Sequence, residues 1–287
     1  MSGLTFVSNN ATSWPLDGTA GMTVGRGAEG LYEIPVDLVL DQRVGGDGAT
    51  LASQRRSPRS VLLEIDIDDN VRDQWASLVA ALAAGGTLQY DDGTRTRELR
   101  NVVLEAPDRS ETGMDLFVRS DDVFPVALLA LDPWWYGSQV TEVIDLHALA
   151  GVGWSPALAW NAQLSWNGGT AIPLLIEGDA DVSPLFGFHG VFDELVVSRG
   201  ASAFRWLPAM AAGEHGTFDS RPGSRGPRRG STLYSAPVSG LDWGLISEDS
   251  RLFDLAPSAA TDIFVTAPGT AAGAEMTVAW EPRWLTP

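Results

Sequence analysis

The chain offers few groups that could do chemistry, and their spacing gives them little chance to act together. His147, His189 and His215 lie far apart, with no His-x-x-x-His pair and no cysteine anywhere. A zinc site would have to take most of its ligands as carboxylates from distant loops. Acids do cluster, as Asp66/Asp68/Asp69, Asp91/Asp92, Asp121/Asp122 and Glu177/Asp179/Asp181. Paired carboxylates can hydrolyse a glycoside or hold calcium, yet neither EF-hand spacing nor another specific pattern is present. Asp66 and Asp68 alternate with Ile65 and Ile67, which places them on the wet face of a half-buried strand. Gly25-Arg26-Gly27-Ala28-Glu29-Gly30 has the G-x-G-x-x-G spacing of a dinucleotide site. That motif works where the glycines open a helix onto a pyrophosphate. Here Leu31-Tyr32-Glu33-Ile34-Pro35-Val36 follows, a strand pattern with a proline inside it.

No G-x-S-x-G elbow marks a serine nucleophile. All 19 basic residues are arginine, which excludes a Walker-type phosphate loop, a Schiff-base lysine and a Ser-x-x-Lys site. The sequence therefore assigns no catalytic, no cofactor-binding and no metal-binding residue, and the chain reads as a non-enzyme. Two binding features remain. Trp154, Trp160 and Trp166 recur in a Pro/Gly/Asn-rich stretch, where an exposed indole could stack on a sugar ring. Arg221 to Arg229 carries four arginines and no acid. Such a loop suits pairing with acids on a neighbouring subunit better than gripping phosphate.

Composition narrows the class further. The 287 residues carry a net charge of −18, so the chain should repel nucleic acid rather than bind it. No apolar run approaches the ~18 residues needed to span a bilayer, and the N-terminus shows no secretory signal pattern. Absence of cysteine is compatible with assembly in a reducing cytoplasm.

The elements that must hold these residues are mostly strands. Leu31–Leu40 and Val61–Ile67 are the clearest early runs, separated by a long polar connection over Val44–Arg59. One helix follows, capped by Asn70 and ended by Gly85-Gly86, with Val71, Trp75, Leu78, Val79 and Leu82 forming its apolar stripe. An Asp91-Asp92-Gly93 turn leads into further strands. The second half contains no convincing helix. It alternates runs such as Ile172–Ile176, Glu194–Val197, Ile263–Thr266 and Met276–Trp280 with turns, the pattern of a β-sandwich. Each half ends on the same phrase, acid-Pro-x-Trp: Asp132-Pro133-Trp134-Trp135 and Glu281-Pro282-Arg283-Trp284. Proline stops a sheet ladder, so the phrases read as the ends of two β-domains, 1–138 and 139–287. Trp135 and Trp284 then serve as packing anchors.

The order of these segments resembles the distal tail proteins of long-tailed bacteriophages (siphovirus phage tail family, or minor tail protein). The first half carries the resemblance in Gly30-Leu31-Tyr32-Glu33-Ile34-Pro35, in 45–49, in Arg55-Arg56-Ser57-Pro58-Arg59 and in Leu131-Asp132-Pro133-Trp134-Trp135-Tyr136. The second half adds Ile172-Pro173-Leu174-Leu175-Ile176-Glu177-Gly178, Thr217-Phe218-Asp219-Ser220-Arg221-Pro222-Gly223 and Val278-Ala279-Trp280-Glu281-Pro282-Arg283-Trp284-Leu285. The resemblance implies a tail-tube-like split β-barrel with one α-helix, then a galectin-like or carbohydrate-module-like β-sandwich. It implies a structural virion protein forming a hexameric ring at the tail tip, with a lumen for DNA passage. Implied partners are other copies of itself, the tail tube protein, the tail-associated hub protein and receptor-binding components, assembled in the host cytoplasm. No cofactor, specific nucleic acid or membrane insertion is implied. The 44–59 connection and the 70–84 helix are the segments expected to meet neighbours and the next ring. The competing reading is a carbohydrate-binding module acting through the C-terminal sandwich.

Overall fold

The computed structural model describes residues 3–25, 28–32, 35–42, 49–105, 123–150, 170–222, 224–230 and 241–287. Two compact units emerge: Met1–Ser138 together with Arg283–Pro287, and Gln139–Pro282. Along the chain, the second is an insertion into the first.

The first unit contains β1 (Gly3–Ser8), β2 (Ser13–Pro15), β3 (Met22–Val24), β4 (Val36–Gln42), β5 (Ala49–Arg56), β6 (Arg59–Ile67), α1 (Trp75–Ala84), β7 (Gly86–Asp91), β8 (Thr96–Leu104), β9 (Val123–Ala130) and β10 (Trp135–Tyr136). Its main sheet runs β2-β1-β7-β8-β9-β6-β3. The two ends of that path are consecutive in sequence, and Asp17 bridges to Thr23 between them, so the sheet nearly closes on itself as a barrel. Strict alternation builds its wall. Along β6, Val61, Leu63, Ile65 and Ile67 are buried while Asp66 is exposed.

The helix covers this core with Leu78 and Leu82, and Val71 and Trp75 pack beside them. It starts later than its sequence pattern suggests. Asp69–Gln74 winds as a 3-10 turn, and Gln74 at the cap makes no side-chain bond to the helix. Gly85 ends the helix at φ 80°, a left-handed conformation that glycine adopts without steric cost.

β4 and β5 stand apart as a two-stranded ribbon, paired from Val36↔Arg56 to Gln42↔Ala49 with a register shift between Val39 and Leu40. The long polar connection expected over Val44–Arg59 is therefore largely strand. β5 is specified by its partner strand rather than by an apolar pattern of its own.

The second unit contains β11 (Val140–Asp145), α2 (Leu146–Ala150), β12 (Thr170–Ile176), β13 (Leu185–His189), β14 (Leu195–Arg199), β15 (Ser202–Trp206), β16 (His215–Asp219), β17 (Gly226–Gly230), β18 (Ser258–Thr266) and β19 (Glu275–Trp280). One sheet is ordered β11-β19-β13-β16-β17 and the other β12-β18-β14-β15. Aromatic side chains fill the space between the sheets: Phe186 lies 5.0 Å from Phe204, and Phe188 lies 4.7 Å from Trp206 (ring centroids). α2, absent from the sequence reading, is one short turn. Asp145 starts it by accepting from the backbone N–H groups of His147 and Ala148.

The last strand, β20 (Arg283–Trp284), returns to the first unit and pairs antiparallel with β10, Trp135 opposite Trp284. The repeated acid-Pro-x-Trp phrases are thus two strands that find each other. The first makes a corner. β8 pairs with β9 at Val102–Leu104 but with β10 at Glu98 and Leu99. Asp132-Pro133 is the bend between those two partners. Asn101, at φ 55°, forms the bulge in β8 that accommodates the change.

Candidate functional site

The C-terminal return creates the most elaborate polar cluster of the first unit. Arg59 is fully buried at the start of β6. Its Nη1 donates to the Leu31 carbonyl at 2.6 Å, and its Nη2 donates to the Leu285 carbonyl at 2.9 Å. Trp135 is also fully buried and donates from Nε1 to the same Leu31 oxygen at 3.1 Å. Trp284 packs on the core beside it. The outer side of the cluster is held by arginines lying on aromatic faces. Arg97 is 4.3 Å from the Trp284 ring and donates to the Thr286 carbonyl; Arg100 is 4.7 Å from the Tyr136 ring. Leu31 can serve both donors because Gly30 presses against β6 at φ 78°, where a Cβ would meet the Ser60 carbonyl oxygen at 1.9 Å.

Burial shapes the ionisation of this cluster. It lowers the Arg59 guanidinium to about 10, since no carboxylate compensates for the water it has lost. Burial also raises the Tyr136 phenol, reinforced by the hydrogen bond its hydroxyl donates to Asp132 at 2.5 Å. These are the properties of a structural clasp. Nothing in the cluster is poised to abstract a proton or attack a substrate.

The remaining sequence candidates resolve as follows. Gly25 donates its N–H to the Glu64 carbonyl and Glu29 bridges to Leu62, so the glycine-rich segment lies along β6 and opens no helix. Asp91 and Asp92 cap the β7–β8 turn. Asp92 accepts from the Thr94 hydroxyl and from the backbone N–H groups of Thr94 and Arg95, which brings its carboxyl down to about 2. Glu177, Asp179 and Asp181 are exposed. Asp121, Asp122, Trp154, Trp160 and Trp166 lie outside the described residues. Among the described residues, no three His, Asp or Glu side chains converge on a point that could hold a metal ion.

The arginine loop departs from its expected use. Its arginines are engaged within their own unit. Asp219 is buried and receives a two-pronged bond from Arg221, at 3.0 Å from Nε and 2.9 Å from Nη2, with Arg228 at 3.9 Å. Burial pulls the Asp219 carboxyl upward, and the Arg221 side-chain and backbone donors outweigh it, leaving the pKa lowered. Arg225 donates to the Ser220 carbonyl, and Arg229 pairs with Glu214 at 2.5 Å. Within the Thr217–Gly223 motif, a buried Asp219 is therefore paired with a half-exposed Arg221 just after β16. Sequence reasoning missed two arrangements. One is Arg59, whose partners are backbone carbonyls remote in sequence. The other is a meeting of His189 and His215, whose rings lie 5.3 Å apart across neighbouring strands.

No family model matches the sequence, and no curated protein matches it. Solved structures do. The SPP1 Dit protein, described as a paradigm of the hub adsorption apparatus in phages infecting Gram-positive bacteria, superposes with a TM-score of 0.63 at 13% identity, covering 99% of both chains. The phage p2 baseplate in its activated conformation with Sr aligns with a TM-score of 0.47 at 7% identity, covering 97% of this chain and 98% of that one. The chain has the fold of SPP1 Dit over its full length. The mainly β architecture, with one main helix in the first half, follows the expectation from sequence.

Proposed function

We propose that this protein is a structural component of a bacteriophage tail tip, a ring-forming adaptor that joins the tail tube to the hub and receptor-binding apparatus. The observation that carries the reading is the whole-chain fold likeness to SPP1 Dit, a phage hub protein. Two features of the chain agree with it. The β4–β5 ribbon stands off the main sheet of its unit, and isolated two-stranded ribbons are marginal in water. Such a ribbon suits contact with another copy around a ring axis. The net charge of −18 suits a lumen through which DNA slides without sticking. On this reading six copies form the ring, the first unit lines it, and the inserted sandwich is carried outside. No residue is assigned to catalysis.

The test is the assembly state of the purified protein, by sedimentation and particle imaging, alone and with tail tube and hub proteins. Rings with a central pore, or rings that appear on adding the hub, support the reading. A chain that stays monomeric in both conditions and never enters a tail-tip assembly overturns it. Replacing residues 43–48, which link β4 to β5 in sequence, by a two-residue Asn-Gly turn should weaken ring formation while leaving the fold intact.

A further inference from the structure

The sandwich unit carries a row of three ligand-type side chains that neither the fold nor the proposed adaptor role explains. In the five-stranded sheet, His189 of β13 stands directly opposite His215 of β16 on one side and Glu275 of β19 on the other. Directly opposed residues in an antiparallel pair share a face of the sheet. Phe188 and Met276, one residue along, are fully buried in the sandwich core, so the row occupies the opposite face. The side chains are partly open to solvent: 30% for His189 and 44% for Glu275.

The distances suit a shared ion better than mutual hydrogen bonds. His189 Nε2 is 3.8 Å from Glu275 Oε2, too long for a hydrogen bond. Two ligands of one tetrahedral zinc ion, each about 2.0–2.2 Å from the metal, stand roughly 3.4 Å apart. The two imidazole centroids are 5.3 Å apart. Two rings bound to one such ion through Nε2 have centroids about 5 Å apart, given the same bond lengths and the ring radius. The Nδ1 atoms of His189 and His215 are buried and make no hydrogen bond, so none holds either ring through that atom. The groups do not yet point at one site. Coordination therefore requires the three side chains to rotate about their own bonds toward a common point.

We propose that His189, His215 and Glu275 form a binding site for a divalent transition-metal ion of the zinc class, with solvent completing the coordination shell. Imidazole selects zinc, nickel or copper and leaves calcium and magnesium to all-oxygen sites. A bound ion would tie three neighbouring strands, β19, β13 and β16, across the exposed face of the sheet.

The full chain should be titrated calorimetrically with Zn²⁺ and with Ca²⁺, and melted with and without Zn²⁺. One Zn²⁺ per chain, no comparable Ca²⁺ binding and a higher melting temperature are the expected results. His189→Gln and His215→Gln should each weaken Zn²⁺ binding at least about tenfold, which corresponds to about 1.4 kcal/mol. His147→Gln, altering the remaining imidazole, should leave binding unchanged. Co²⁺ added to the unaltered protein should give the visible absorption of tetrahedral coordination, a readout independent of any variant's folding. Absence of Zn²⁺ binding, equal binding of Ca²⁺, or Zn²⁺ binding that survives loss of both histidines overturns the proposal. Ring assembly is untouched by any of these outcomes, so the site and the adaptor role fail separately.

Discussion

Replacing Arg59 by alanine should release the C-terminal residues and destabilise the first unit, and the size of the effect follows from its surroundings. Lowering of the guanidinium from 12.5 to about 10 corresponds to a burial cost of roughly 3 kcal/mol at neutral pH. Against this stand two hydrogen bonds from a charged donor, to Leu31 and Leu285, each contributing about 1.5–3 kcal/mol. Alanine removes both sides of that balance. It also leaves the Leu285 carbonyl without this donor and opens a cavity where a fully buried arginine stood. The net loss should be about 3 kcal/mol, near 9 °C in the melting of a unit of this size. Leu31 keeps its bond from Trp135, so the loss should concentrate at the C-terminal end. Carboxypeptidase digestion reads that directly, since residues 283–287 should become cleavable in the variant and stay protected in the parent. Arg97→Ala, which removes the stacking contact on Trp284 and the bond donated to the Thr286 carbonyl, should cost about 1–2 kcal/mol. If Arg59→Ala melts within about 0.5 kcal/mol of the parent and its C-terminus stays protected, the buried arginine does not hold the clasp and the reasoning fails.

Gly30→Ala should prevent accumulation of folded protein or cost more than about 3 kcal/mol, because its Cβ would overlap the Ser60 carbonyl at 1.9 Å; soluble yield and denaturant melting test it. Asp219→Asn should cost about 1–3 kcal/mol, because the buried carboxylate's charge-assisted bonds are lost while Arg221 and Arg228 keep partial access to solvent. The lowered Asp219 pKa contributes stability that is present above its unfolded value, near 3.8, and is lost as pH falls through the folded value. The parent should therefore lose stability below about pH 4 more steeply than the Asn variant, in melts across that window. Tyr136, raised above its usual 10.0, should ionise later than a free phenol in an alkaline absorbance titration. Its stabilising effect is full below pH 10 and declines as pH rises past that value, because the unfolded chain then ionises first. Tyr136→Phe should remove that late phase.

Local periodicity made part of this fold legible. Val61, Leu63, Ile65 and Ile67 alternate as a half-buried strand must, and Leu78 and Leu82 fall one helical turn apart on the face that meets the core. Features that depend on distant partners left no local trace. β5 exists because β4 pairs with it, and its own composition reads as a polar loop. His189 and His215 are brought together by the β13–β16 register. Arg59 reads as a surface residue before a strand, and only the backbone carbonyls supplied by Leu31 and Leu285 make its burial tolerable. The arginine loop differs: Asp219 lies only two residues before Arg221, and the run looks unpaired only when it is read apart from that acid and from Glu214.

The paired tryptophan phrases carry a consequence for how the two units depend on each other. Pairing Tyr136 with Arg283 closes a loop of about 147 residues, which costs about 4.4 kcal/mol of chain entropy for a flexible chain. β10 and β20 contribute only two residues each, too few to offset that cost by their own ladder bonds. In the folded second unit, Val140 pairs with Trp280, so the ends of the insertion are already adjacent. The flexible chain left to close is then about seven residues, and the closure cost falls by about 3 kcal/mol. The sandwich thus stabilises the clasp through connectivity. A substitution that weakens β11–β19 within the second unit, such as Ile144→Ala, should expose residues 283–287 to carboxypeptidase although the altered residue belongs to the second unit. Because the coupling is reciprocal, Arg59→Ala, by releasing the clasp, should in turn lower the sandwich's own melting transition by up to the same amount, about 3 kcal/mol. Equal losses in the two directions are the signature of coupling through loop closure, and a sandwich whose melting ignores release of the clasp refutes it.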